Sequence, residues 1–239
     1  MEFNGISAEA IGLLAQNRFE NSKAFYEAHK KEINEGVVYP MRRLVEDLRP
    51  TLEAINPDLI LDPLRCLSRV RRDTRFTNDK TLYRENLWLM FRHQKNELPT
   101  PMFWFEFFPD GYSYGCATVS STPAFLEAWR AGIRRDPLPL LDAVRKAATK
   151  GLAPGGEYYE CYKRSKAAQD GITQEELIPW YDAKGPIAIR HVAGVAGLNK
   201  PRKLVSELTA AYEAAGDLYR YMLDATTRFN ARECADERD

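Results

Sequence analysis

MFWFEFFPDGYSYGCATVS, residues 102–120, is the stretch whose reading decides the fold. Aromatic residues crowd both sides of Pro109-Asp110-Gly111. Such side chains fill the pleated surface of a half-buried strand, and an Asp-Gly pair tolerates the positive φ angles of a tight hairpin turn. The spacing therefore predicts two antiparallel strands joined at 109–111. Working upstream, NLWLMFRHQ (86–94) has the same character, and LRCLSRVRRDTRF (64–76) reads as a further extended stretch. Three or four antiparallel strands are expected between 64 and 120.

Helical periodicity flanks this block on both sides. Ser7 is placed to cap a helix from Ala8 to about Asn17 that carries Ile11, Leu13 and Leu14. Phe19, Ala24, Phe25, Ala28 and Ile33 then recur at helical spacing, Gly36 and Pro40 bracket a break, and Met41, Leu44, Val45, Leu48 and Leu52 mark another amphipathic helix. Asn56-Pro57-Asp58 ends it. Beyond the strands, Thr122 caps a helix with Pro123 at its first position and Phe125, Leu126, Trp129 and Ile133 on its buried stripe. Another helix is predicted over about Leu138–Thr149. Tyr158–Tyr162 and Pro186–Val192 read as strands, Thr173-Gln-Glu-Glu176 as a capping box opening a short helix, and Lys203–Phe229 as one or two helices. The predicted class is α+β: a mainly antiparallel sheet with N-terminal and C-terminal helices packed against it. Residues 1–239 read as a single domain, with a subdomain break near the glycine-rich 151–156.

Composition narrows the function classes. The 239 residues are 44% hydrophobic and 28% charged, the balance of a folded domain. Lys plus Arg equals Asp plus Glu at 34 each, so no global field draws the chain to nucleic acid or acidic lipid, and nucleic acid is a disfavoured partner. No apolar run reaches the length of a membrane span. The N-terminal residues lack the basic start and apolar block of a signal peptide. Cys66, Cys116, Cys161 and Cys234 are far apart, which suits free thiols in a reducing cytoplasm.

The chemically unusual segment is RVRRDTRFTNDKTLYR, residues 69–84. If 69–75 is extended, alternation puts Arg69, Arg71, Asp73 and Arg75 on one face, and Val70, Arg72, Thr74 and Phe76 on the other. Thr77-Asn78-Asp79 looks like a turn, because Asn and Asp side chains bond their own backbone. Asp73 and Asp79 are outnumbered by Arg69, Arg71, Arg72, Arg75, Lys80 and Arg84. Some donors must therefore bond water, distant carboxylates or a bound anion, which the planar guanidinium fork suits. Two readings stand. One is an ion network bracing the sheet, with Phe76 and Tyr83 as core. The other is an anion-binding or catalytic cleft in which Arg69, Arg72, Arg75 and Lys80, joined by Arg84, hold the anion. There Asp73 or Asp79 is a base or orients an Arg, Lys80 stands beside them, and Tyr83 is a donor.

At these residues the chain resembles the DUF2461 family, a group without an assigned activity. Its signature R-x-x-R-D-x-R-F-x-x-D-K-x-x-Y is carried here by Arg69, Arg72-Asp73, Arg75-Phe76, Asp79-Lys80 and Tyr83. The family closes the motif with Pro-Tyr-Lys, where this chain has Leu82-Tyr83-Arg84. An early-helix pattern of the family falls on Asn21-Ser22, Phe25-Tyr26 and His29-Lys30, followed by Pro40. Tyr114-Gly115 with Arg130 and Ile133 resembles its glycine-rich strand and the helix after it. The resemblance spans roughly residues 3–228 and implies where a site lies, not its chemistry.

Other chemistries have weaker support. His29, His93 and His191 lack metal-ligand spacing, so neither a metal nor a cofactor is expected. Gly194–Lys200 lacks the spacing of a phosphate loop and reads as a strand-to-helix turn. Three functions remain: a binder or enzyme for a small phosphorylated or carboxylated anion, a scaffold whose charged motif is architectural, and a nucleic-acid-binding protein.

Overall fold

A computed structural model of the protein describes residues 2–94, 98–157 and 159–236, with side chains up to residue 231. The architecture is α+β. Four strands form one antiparallel sheet in the order β1–β2–β3–β4: β1 Leu87–Arg92, β2 Thr100–Phe108, β3 Gly111–Val119 and β4 Ile187–Ala193. The helices precede the sheet, fill the long connection from β3 to β4, and follow it. By internal contacts the chain divides into two compact units, Met1–Phe91 with Trp104–Tyr114 and His191–Thr209, and Arg92–Phe103 with Gly115–Arg190 and Ala210–Asp239.

The first unit opens with α1 (Ala8–Glu20), which Ser7 caps by accepting from the Ala10 amide at 3.2 Å. Asn21 ends it in the left-handed conformation, φ 47°, and α2 (Lys23–Ile33) starts two residues later. Asn tolerates that conformation better than most side-chain-bearing residues. The break expected between Gly36 and Pro40 is instead a turn of π-helix, Asn34–Val38, that runs into α3 (Tyr39–Ile55). Pro40 cannot donate a backbone hydrogen bond, and its ring crowds the carbonyl four residues back. The wider turn absorbs both. Met41, Leu44, Val45, Leu48 and Leu52 are buried as their spacing predicts, but Phe19 is exposed. Asn56 closes α3, and a short helix α4 (Pro63–Cys66) follows.

In the second unit α5 (Pro123–Arg135) is capped by Thr122, whose hydroxyl accepts from the Phe125 amide at 3.2 Å. Its buried stripe is anchored to the neighbouring residues Trp180 and Tyr181. Trp129 Nε1 donates to the Trp180 carbonyl at 3.1 Å, and Arg130 Nε to the Tyr181 carbonyl at 3.0 Å. Helices α6 (Leu138–Ala148), α7 (Lys166–Gln169) and α8 (Ile178–Asp182) follow. The expected capping box at Thr173 does not form. A 3-10 turn starts at Glu175 without a side-chain cap, because Glu176 spends its carboxylate on Arg145 at 2.8 and 3.0 Å. Of the strand expected over Tyr158–Tyr162, Tyr158 lies outside the described residues and Cys161 forms only an isolated bridge to Ala183. The last segment is one helix, α9 (Pro201–Asp236). Within this unit Phe103 packs on Tyr219 and Tyr212, with ring centroids 4.9 and 5.1 Å apart.

Among the described residues no helix is long and apolar enough to cross a membrane. Cys66 and Cys116 are buried free thiols and Cys161 is an exposed one, while the Cys234 side chain lies outside the described residues.

The β2–β3 hairpin turns at Pro109-Asp110, as its sequence predicts, but the role of glycine differs. Gly111 does not adopt a positive φ. It is small because the Val192 carbonyl of β4 lies where its Cβ would be. Gly111→Ala is therefore expected to lower stability by about 1–3 kcal/mol through overpacking. Gly12→Ala, on α1 where no atom lies within 4 Å, is expected to raise it by about 0.5–1 kcal/mol. Urea unfolding of the two variants checks both signs; a neutral Gly111→Ala removes the packing explanation.

Candidate functional site

Residues 69–84 fold as an irregular hairpin rather than as the regular strand the 64–76 stretch suggests. Beyond α4, only isolated bridges link Leu67 to Leu89 and Arg71 to Tyr83. Two backbone hydrogen bonds tie the limbs, Arg72 N–H to Leu82 C=O at 2.8 Å and Arg84 N–H to Val70 C=O at 3.0 Å. The ladder stops because acidic side chains capture the amides beyond it. The Asp73 carboxylate accepts from the Arg75 amide at 3.1 Å, and that of Asp79 from the Thr81 amide at 2.9 Å. The Thr77 hydroxyl in turn accepts from the Asp79 amide at 3.3 Å, giving the turn expected at 77–79.

The corner between α1 and α2 holds the return limb. Asn21 Oδ1 accepts from the Leu82 amide at 2.7 Å. Arg18 donates to the Tyr83 carbonyl at 3.3 Å and pairs with Glu85 at 3.4 Å. Tyr26 stacks on Tyr83 with centroids 4.9 Å apart, and Tyr83 is only 1% exposed. The early-helix residues and the charged motif, about sixty positions apart in the chain, thus form one structure.

Alternation holds from 69 to 75. Arg69, Arg71, Asp73 and Arg75 are exposed, whereas Val70 is buried and Arg72 and Thr74 are half-buried. It fails at Phe76, which the bracing reading puts in the core. Phe76 is 90% exposed at the tip, with the Arg75 guanidinium over its ring at 5.4 Å. The chain turns at 75–76, so the strand period no longer sets its direction.

The half-buried Arg72 pairs with the exposed Asp79, whose carboxylate also accepts from the Thr81 hydroxyl at 2.5 Å. Arg84 lies over the Trp88 ring at 4.3 Å, and its Nε is buried without a partner. Burial first, then the nearby Arg72 charge, pulls the Arg84 pKa down, while Glu106 opposes the shift. Arg75 grips Asp73 at 2.7–3.2 Å, and Lys80 donates to the Thr74 carbonyl at 2.9 Å. Neither Arg69 nor Arg71 has a hydrogen bond or ion pair among the described residues.

Both acids are held as anions. Hydrogen bonds from the Arg75 side chain and then its amide push the Asp73 pKa down to about 2. Those from the Thr81 hydroxyl and amide, with Arg72, hold Asp79 well below the usual carboxylate range. Carboxylates this acidic are weak bases at neutral pH. What they do in this geometry is orient Arg75 and Arg72.

Sequence reasoning overlooked Glu106, Asn86, Trp88 and Arg18. Glu106 is buried in β2 and accepts from Asn86 Nδ2 at 2.5 Å. Its signal was present: it is the one ionisable residue in the aromatic run 102–108, and a buried charge requires partners. Among the described residues no three His, Cys, Asp or Glu side chains gather as a metal ion would need.

An antiparallel sheet with helices packed on it, and a charged hairpin held by the α1–α2 corner, define an α+β protein with a basic surface element. The chain belongs to the DUF2461 family of conserved hypothetical proteins, whose family model matches residues 9–221. That span contains the hairpin, the α1–α2 corner and Glu106. No curated protein matches the chain.

Because the folded pKa of Asp73 is below the unfolded one, its bonds to Arg75 stabilise the hairpin above the ordinary carboxylate range, and that contribution disappears as pH falls through about 2. Carboxyl NMR is expected to find Asp73 titrating near 2 instead of its ordinary 3.8. A midpoint near 3.8 would show that the Arg75 grip does not persist in solution.

Proposed function

We propose that the hairpin 69–84 is an anion-recognition element for a phosphorylated or carboxylated ligand. The observation that carries this reading is the imbalance on its exposed surface: Arg69, Arg71, Arg75 and Lys80 stand against two exposed carboxylates, Asp73 and Asp79, which are bonded to Arg75 and Arg72, and Arg69 and Arg71 lack ion pairs among the described residues. Guanidiniums held near one another without carboxylates bind phosphate or carboxylate oxygens in pairs. Lys80 adds a point charge, and an incoming anion competes with Asp73 for Arg75. With Asp73 and Asp79 locked as anions, these groups support binding more than proton transfer.

The inner half favours a second role, architecture. Arg72 with Asp79, and Tyr83 against Tyr26, form a brace that sets the shape of the outer face. Arg84 sits at its base beside Trp88. The two roles predict different mutants. Asp79→Ala and Tyr83→Ala are expected to lower the melting temperature, and Arg69→Ala and Arg71→Ala to leave it within experimental error, since exposed side chains away from special contacts contribute little.

A thermal-shift series at low ionic strength with phosphate, citrate and tripolyphosphate tests binding. A ligand at a hundred times its Kd adds about 2.7 kcal/mol to stability. The expected result is a rise in melting temperature for at least tripolyphosphate that the Arg69→Ala/Arg71→Ala double variant loses. No shift for wild type with any of the three at millimolar concentration sinks the reading.

A further inference from the structure

We infer that the natural ligand of the outer face is a single-stranded nucleic acid, bound through its phosphates by Arg69, Arg71 and Lys80 and through one base by the ring of Phe76. The inference rests on the anion-binding reading of the same hairpin and names its ligand class. Three observations converge. First, Phe76 is 90% exposed at a turn, with Arg75 over its ring at 5.4 Å. A guanidinium–ring stack of this kind offers its free aromatic face to a planar partner, and stacking on exposed aromatics is how single strands are held without sequence readout.

Second, Arg69 and Arg71 are both exposed, on either side of a bend at Val70, so two cations two residues apart are open to the phosphates of a flexible single strand. Third, Arg69 and Arg71 have no ion pair among the described residues, and the carboxylate whose charge acts on Arg69, that of Asp73, is already bonded to Arg75. An acidic peptide would satisfy the charges but leave the Phe76 face without a flat partner. The chain's zero net charge removes long-range attraction and leaves this local patch to supply the affinity.

The test is fluorescence anisotropy of the full chain with a labelled short oligodeoxythymidylate, an abasic oligomer of the same length, and phosphatidylserine-containing vesicles, beside the tripolyphosphate thermal shift. Wild type is expected to bind the thymidylate more tightly than the abasic oligomer. With three phosphates engaged, the logarithm of affinity should fall with the logarithm of salt at a slope of about −2. Phe76→Ala should weaken thymidylate binding roughly tenfold and leave abasic binding and the tripolyphosphate shift unchanged. Equal affinity for the two oligomers, or a silent Phe76→Ala, overturns the inference while the anion reading survives. Binding to vesicles without binding to oligomers overturns it in favour of a membrane surface. No response to any of these anions, tripolyphosphate included, removes both.

Discussion

Strands β2 and β3 bury eight of their nine residues each, and the rest of the protein is arranged around that fact. A strand with one wet face alternates, as β1 does, with Leu87, Leu89 and Phe91 inward and Trp88, Met90 and Arg92 partly in water. A strand pair buried on both faces must be covered on both. At about 25 cal/mol per Å² of apolar surface removed from water, the aromatic run 102–108 is a large share of the driving force for folding. The same burial makes Glu106 costly unless it is bonded, which is why Asn86 and the Arg84 region are drawn to it.

Beside this core, the 69–84 segment solves the opposite problem, too much charge in too few residues. It does so by local bonding. Asp73 and Asp79 take backbone amides and guanidiniums together, which ends the strand ladder after two hydrogen bonds and makes an irregular hairpin. Asn21 Oδ1 and the Tyr26 ring fasten the return limb from outside. Arg72 and Arg75 are paired with Asp79 and Asp73, the buried Arg84 Nε has no partner, and Arg69 and Arg71 are exposed without ion pairs among the described residues.

Much of the fold was legible because it is local. Period 3.6 marked α3 and α5, Ser7 and Thr122 announced their helices, and Pro109-Asp110-Gly111 located the turn. Two misreadings come from a distant atom overriding a local preference and two from a local turn that the pattern did not show. Gly111 is small because of Val192, the Thr173 box fails because Arg145 takes Glu176, and Pro40 is carried within a continuous run of helical turns. Phe76 was read as core because a strand period was extended through a turn.

By itself, the sequence determined the fold class, the position of the charged segment and the alternation of its residues from 69 to 75. Those follow from backbone geometry and turn chemistry, which act over a few residues. Only the tertiary structure decided which charges are paired, that the α1–α2 corner pins the hairpin, that Glu106 belongs to its base, and that Phe76 faces water. Pairing and exposure depend on which groups meet across long stretches of chain. Two acids and six bases within sixteen residues announce an imbalance, but their depth and their distant partners decide where it is left open to a ligand.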